Sequence, residues 1–323
     1  MELDTGTLIK FSAYLGSGIA IGFGAVGAAI GIGYTAGRAN EAISSRPEKS
    51  PELFKLMLIG QAITESSAIF ALVVSLLLLF MNFPEAGILK APALLGAGIS
   101  IGFGAFGSGI GSGFPAAEAC IGSARQPEAS NAILINMLIG SAVSQTPAIF
   151  ALVVSFMLMF IDFTAPVSPT WAALIGAGVS TGLAAIGSGI GSGMAAGGSC
   201  EGISRQPQSV GQVTTAMLVG QAVSQTPSIF GLLVSFILIF KAFPESSSLS
   251  AAMALLSAGI SMGFGGIGPG IGNGLTAESA VKWIARNLDI TADLMRTMLV
   301  GQAVAQSTAI YAMVVSLVLI FVV

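Results

Sequence analysis

Long apolar stretches alternate with short polar breaks along the 323 residues, giving eight apolar runs in all. Each run exceeds the roughly 20 residues that span a hydrocarbon core. The breaks are of two kinds in strict alternation. One kind is basic: Ser45-Arg46-Pro47-Glu48, Ala124-Arg125-Gln126-Pro127-Glu128, Ser204-Arg205-Gln206-Pro207-Gln208 and Ala285-Arg286-Asn287-Leu288-Asp289. The other kind is Asn82-Phe83-Pro84-Glu85, Asp162-Phe163-Thr164-Ala165-Pro166 and Phe243-Pro244-Glu245-Ser246. Each stops one helix and starts the next. The pattern predicts an all-α membrane protein of four tandem hairpins. First helices are expected over 12–45, 91–124, 168–203 and 248–284, and second helices over 53–81, 130–162, 210–241 and 291–322. The corresponding repeats are 1–86, 87–166, 167–246 and 247–323. Several of these helices are longer than a bilayer requires, so their ends should project from it.

The two helices of each repeat differ in kind. The first is rich in glycine, as in Gly107-Ser108-Gly109-Ile110-Gly111-Ser112-Gly113, with matching runs Gly22 to Gly33, Gly187 to Gly193 and Gly268 to Gly274. Glycine at this density lets helix backbones approach closely, at a propensity cost near 1 kcal/mol each. Gly-x-Gly-x-Gly also suggests a nucleotide loop, but no strand precedes it and no Lys-Ser/Thr ends it, so that reading is set aside. The second helices carry larger residues, from Phe70 to Phe80, Phe150 to Phe160 and Phe230 to Phe240. A thin helix joined to a bulky one is a wedge. Wedges close into rings, here an oligomeric ring of several chains.

Charge then orients the hairpins. Only 8% of residues are charged, against 54% hydrophobic, and the net charge of −3 says nothing about partners. Nine basic residues, among them Arg38, Arg46, Lys55, Arg125, Arg205 and Arg286, lie on the side of the basic turns, whereas Lys10, Lys90 and Lys241 lie on the other. The positive-inside rule puts the basic turns in the cytoplasm and both termini outside. The first apolar stretch matches the later repeats and lacks a basic leader, so it belongs with them and not with a signal peptide. Without histidine there is no imidazole ligand. Cys120 and Cys200 stand at equivalent repeat positions and read as small packing residues. Glu118, Glu278, Glu41 and Glu201 fall near the turn ends of first helices, where charged groups reach the interface. Pro147, Pro227 and Pro269 are expected to bend their helices.

The second helices share one more pattern. Gly60-Gln61-Ala62-Ile63-Thr64-Glu65-Ser66-Ser67 recurs from Gly140, Gly220 and Gly301, at spacings of 80, 80 and 81 residues. Where the first copy has Glu65, the others have Gln145, Gln225 and Gln306. A carboxylate at mid-membrane is costly unless a proton, a cation or an arginine neutralises it. Gln61, Thr64, Ser66 and Ser67 supply polar atoms around it, and hydroxyl and carbonyl oxygens suit an alkali cation or a hydrogen-bonded proton. A buried structural Glu is the alternative. The glutamines keep shape and hydrogen bonding while deleting the charge, which favours the ion-binding reading.

With these residues in hand, the chain resembles the proteolipid c subunit of rotary F-type and V-type ATP synthases and ATPases, fused into four hairpins over essentially its whole length. The resemblance rests on the glycine-rich first helix, on Arg125-Gln126-Pro127 and Arg205-Gln206-Pro207, and on the Gly-Gln-Ala-x-x-Glu-Ser segment holding Glu65. It implies a rotor subunit with no catalytic site or cofactor of its own, carrying Na⁺ or H⁺ on Glu65. It also implies further copies in a ring, a stator a-type subunit with an essential arginine, central stalk subunits meeting the turns at Arg46, Arg125 and Arg205, a bilayer, and no nucleic acid. A bacterial cytoplasmic membrane is the implied location.

The sodium-binding pattern of that family implies Glu65, Ser66, the Ile63 carbonyl and Ser67 as a ligand set. Its first-helix glutamine is missing: the matching positions are Ile32, Ser112, Ser192 and Asn273. Ser112 or the next chain's Asn273 is the expected substitute oxygen. One carboxylate per four hairpins implies few ions per ATP, which favours pumping. A passive ring-forming scaffold with a relic carboxylate is the competing reading. A secondary transporter fits less well, because the repeats are parallel and not inverted.

Overall fold

The computed structural model describes residues 4–82, 87–246 and 248–322. Among them are eight α-helices: α1 Thr5–Ser45, α2 Ser50–Phe80, α3 Lys90–Arg125, α4 Ser130–Phe160, α5 Val167–Arg205, α6 Val210–Phe240, α7 Leu249–Arg286 and α8 Thr291–Val322. All eight are long and apolar enough to cross a membrane. The expected boundaries hold to within about three residues except at α1, which starts seven residues early. No proline lies between Thr5 and Phe11, and the single Gly6 does not stop the helix, which begins at Thr5 after Asp4. The Phe83-Pro84-Glu85 part of the first interhairpin break, and the repeat boundaries expected at 86 and 247, lie outside the described residues.

Each hairpin turns through a single 3₁₀ turn. Three of these begin with a proline, at Pro47, Pro127 and Pro207. Proline suits a first helical position because its missing N–H has no partner to lose there. The fourth turn, Leu288–Ile290, has no proline and uses a side chain instead: Asn287 Oδ1 accepts from the Asp289 N–H at 3.2 Å.

The helices form two rows. In the glycine row, α1, α3, α5 and α7 each pack along the next, whereas neighbours in the second row (α2, α4, α6, α8) touch sparsely. Glycine allows this spacing. A Cβ placed on Gly111 of α3 would lie 2.0 Å from the Gly189 carbonyl oxygen of α5, and one on Gly193 would lie 2.0 Å from the Gly111 oxygen. Backbone touches backbone there, with no side chain between. The closely spaced glycine row fits the thin side of each wedge.

A serine in each second-row helix fastens it to its partner. Ser155, Ser235 and Ser316 donate to the carbonyls of Ala97, Ala177 and Ala258 at 2.6–2.8 Å, and Ser75 meets Ser17 at 2.8 Å. Cys120 and Cys200 are buried and free.

Candidate ion-binding site

Proline within α4 and α6 prepares the site. Both helices run on through Pro147 and Pro227. A proline has no N–H, so the carbonyl four residues earlier loses its helical partner. Those carbonyls belong to Val143 and Val223, and both are filled from the following hairpin. Gln225 Nε2 donates to the Val143 oxygen at 2.9 Å, and Asn273 Nδ2 donates to the Val223 oxygen at 3.3 Å.

The same contact recurs between hairpins 1 and 2. Gln145 donates through Nε2 to the Ile63 carbonyl, while its Oε1 accepts from Ser66 Oγ at 2.5 Å. The same hydroxyl also reaches the Ile63 carbonyl at 2.6 Å. So Gln145 faces back toward a carbonyl and a hydroxyl of hairpin 1, and Gln225 toward a carbonyl of hairpin 2. Ile63 and Ser66, read from the sequence as partners of Glu65, lie instead against Gln145. The direction of reach was not legible in the repeat itself. The helix-freed carbonyls were, from a proline four residues after Val143 and after Val223.

Hairpin 4 adds a first-helix residue. Asn273 of α7 donates to Gln306 Oε1 at 2.8 Å, so Gln306, Asn273 and the Val223 carbonyl share one buried spot. Ser112, at the matching position of α3, turns to its own helix and donates to the Ser108 carbonyl at 2.7 Å. Ile32 presents only its backbone, whose carbonyl accepts from Gln61 at 3.3 Å. Gln221 and Gln302 make the same contact with the carbonyls of Ser192 and Asn273, and each also bridges to the previous hairpin at Gly140 or Gly220. Ser67 donates to the Thr64 carbonyl at 3.0 Å and does not join the cluster.

Glu65 sits where this chain of contacts begins. Its side chain is exposed, with no hydrogen bond or ion pair among the described residues. On α8, Val304 is 68% exposed and its carbonyl accepts the Ser307 hydroxyl at 2.8 Å, with no glutamine side chain upon it among the described residues.

The carboxylates near the turn ends of the first helices are engaged elsewhere. Glu118 pairs with Arg38 at 3.1 Å, and Arg38 also meets Glu41. Lys282 bridges Glu201 at 2.9 Å and Glu278 at 2.6 Å, and Arg205 closes on Glu201 at 2.8 Å. These pairs form a charged belt near the turn ends of the glycine row. At the turns themselves, Arg125 donates to Ser204 Oγ at 2.9 Å, and Arg46 lies 3.5 Å from Glu48. The backbone carbonyls of Gln126 and Gln206 accept from Ala129 and Ser209, closing the turns that Pro127 and Pro207 begin.

Eight apolar helices folded as four like hairpins, with one carboxyl or amide group at the matching position of each second helix, define a tandem proteolipid. The chain belongs to the ATP synthase C subunit family, which it matches four times, at residues 15–78, 95–158, 175–238 and 256–319. Among similar proteins, the ATP synthase c subunit of Mesomycoplasma hyopneumoniae (strain 7448) is 45% identical over 74 residues, 23% of this chain and 72% of that protein. The ATP synthase c subunit of Alkaliphilus oremlandii (strain OhILAs) is 42% identical over 73 residues, 23% of this chain and 82% of that protein. That of Geotalea uraniireducens (strain Rf4) is 45% identical over 69 residues, covering 21% and 76%. Each relative is thus about one hairpin of this chain long. Membership makes the chain a non-catalytic membrane subunit with a part in ion translocation.

Proposed function

We propose that copies of this chain close head to tail into a rotor ring in which Glu65 is the ion-carrying group, one per four hairpins. The observation that carries this reading is a pair of unfinished contacts. Glu65 of α2 is exposed with no partner among the described residues, and Val304 of α8 is exposed with no glutamine upon it or upon Ser307. Joined, they would repeat the contact of Gln145 with Ile63 and Ser66. The glycines agree. A Cβ on Gly18, Gly22 or Gly33 of α1, or on Gly268 of α7, would meet nothing within 4 Å. Their counterparts inside the chain are crowded: a Cβ on Gly98 would lie 2.2 Å from the Gly16 oxygen.

The ligand set favours a proton over sodium. Glu65 would find the Val304 carbonyl and the Ser307 hydroxyl across the junction, but on its own first helix it would find Ile32. A proton needs one acceptor. Sodium needs an oxygen shell, and here that shell is one side chain short. On this reading sodium leaves the reaction of dicyclohexylcarbodiimide with Glu65 unchanged at fixed pH. Protection that rises with sodium concentration would reverse the choice of ion.

As the ring turns, a stator cation would strip the proton from Glu65 and a later access path would reload it, while the basic turns ride on the central stalk. The positive-inside rule supports cytoplasmic turns and external termini. Because 100 mV across the membrane supplies about 2.3 kcal/mol per charge, few ions per turn demand a large driving force for synthesis. ATP-driven pumping against a steep gradient is the favoured direction. Imaging of the detergent-purified ring tests the assembly: the expected result is a closed ring with a hairpin number divisible by four. A lone eight-helix bundle would refute it.

A further inference from the structure

The charged belt is spread unevenly along the glycine row. One repeat position on the first helices reads Glu41, Ile121, Glu201 and Lys282, and the position three residues earlier reads Arg38, Glu118, Gly198 and Ser279. Like positions stand nearly level with one another, because glycine packs on glycine in a constant register: Gly113 of α3 on Gly31 of α1, Gly193 on Gly111, and Gly274 on Gly191. A charge at these positions can therefore reach the like position of the next helix. Arg38 meets Glu118 across α1 and α3 at 3.1 Å, and Glu201 meets Lys282 across α5 and α7 at 2.9 Å.

The two flanking helices of the row hold bonding capacity that these contacts leave over. An ammonium has three N–H donors. Glu201 and Glu278 take two of those of Lys282, at 2.9 and 2.6 Å, and the third has no partner among the described residues. Glu41 is exposed. Its Oε2 meets Arg38, while its Oε1 has no partner among the described residues. An unused donor on α7 and an unused acceptor on α1 thus stand at the same repeat position.

We propose that Lys282 of one copy and Glu41 of the next form an ion pair across the chain junction, and that this pair selects which faces meet. It rests on the head-to-tail ring proposed above and names the contact that specifies it. Copies in one membrane stand the same way up, so levels are kept between them. With α7 beside the α1 of a second copy, Lys282 comes level with Glu41, and Glu278 comes within one position of Arg38. Opposite charges meet at both. With α1 beside α1, Glu41 is level with Glu41 and Arg38 with Arg38; with α7 beside α7, Lys282 is level with Lys282. Like charges brought together oppose those pairings. A partly exposed ion pair adds little affinity. Close glycine packing therefore supplies the hold, and the charges supply the choice of partner.

A water-soluble carbodiimide tests this on the unmodified chain, because it joins an amine to a carboxylate in direct contact without a spacer. The intact ring is treated and then run on a denaturing gel. Links within a chain leave monomers, whereas links across the junction give covalent dimers and higher multiples. Mass spectrometry of the dimer is expected to find Lys282 joined to Glu41, and of the monomer Lys282 joined to Glu201 or Glu278. Glu41→Gln should remove the dimer link and leave the monomer links. Glu41→Lys should lower the yield of ring at low ionic strength, with part of the loss recovered by salt, and leave the yield of folded chain unchanged. A ring whose dimers lack the 41–282 link, or a normal ring yield from Glu41→Lys, overturns the pair and leaves the ring standing. A chain that forms no ring at all removes both.

Discussion

Replacing Glu65 with Gln is expected to abolish ion transport coupled to nucleotide turnover, whereas Glu118→Gln leaves most of it. Both are carboxylates within long apolar helices, so charge alone does not separate them. Their partners do. Glu118 is tied to Arg38 at 3.1 Å in a belt of ion pairs near the turn ends, where its charge is compensated within the chain. Removing one member of such a partly exposed pair costs little transport function and modest stability. Among the described residues Glu65 has no counter-charge, and the three equivalent hairpins carry an amide there. Gln at position 65 therefore folds as the other three do, but no hairpin then carries a carboxylate at this position. Equal losses from the two substitutions, measured as ATP-driven ion uptake into vesicles, would remove Glu65 from its role.

The second large effect concerns glycine, and it separates folding from assembly. Gly111→Val should prevent recovery of the folded chain. Its Cβ would fall 2.0 Å from the Gly189 oxygen and 2.6 Å from the carbonyl carbon, and backbone cannot give way as a flexible side chain can. Overpacking usually costs about 1–3 kcal/mol, and a backbone clash along two packed helices belongs at or above the upper end. Gly18→Leu should behave differently. In the single chain the added side chain meets nothing within 4 Å, so the hairpins form. The junction with the next copy then lacks the close approach that Gly98 makes with Gly16, and the ring fails to close. Yields of chain and of ring, measured separately in detergent, distinguish the two. A normal ring from Gly18→Leu would contradict the head-to-tail contact.

Much of this architecture is legible in the residues. Apolar runs broken by arginine-bearing turns specify four hairpins, because a run longer than about 20 residues spans a membrane as a helix and not as a barrel strand. The lone Glu65 among three glutamines stands out once the repeats are aligned. The sense of the contacts is not legible. Ile63 and Ser66 lie within two residues of Glu65, and proximity in sequence suggests one cluster. On a helix, however, neighbouring residues point in different directions: Ser66 turns toward the hairpin that follows, while Glu65 is exposed. Asn273 was visible as an odd residue in the glycine series. Its partner, Gln306, is 33 residues away on the other helix of the same hairpin, and only the packing of α7 against α8 joins them.

The most direct measurement is the number of carbodiimide groups taken up per chain by the intact ring, with the modified residue located by mass spectrometry. One group per chain, on Glu65, is the expected result, because Gln145, Gln225 and Gln306 offer no carboxyl and the belt carboxylates are held by arginine and lysine. Two or more groups per chain within the membrane span, or a single group on Glu118, Glu201 or Glu278, would contradict a rotor that carries one ion for every four hairpins.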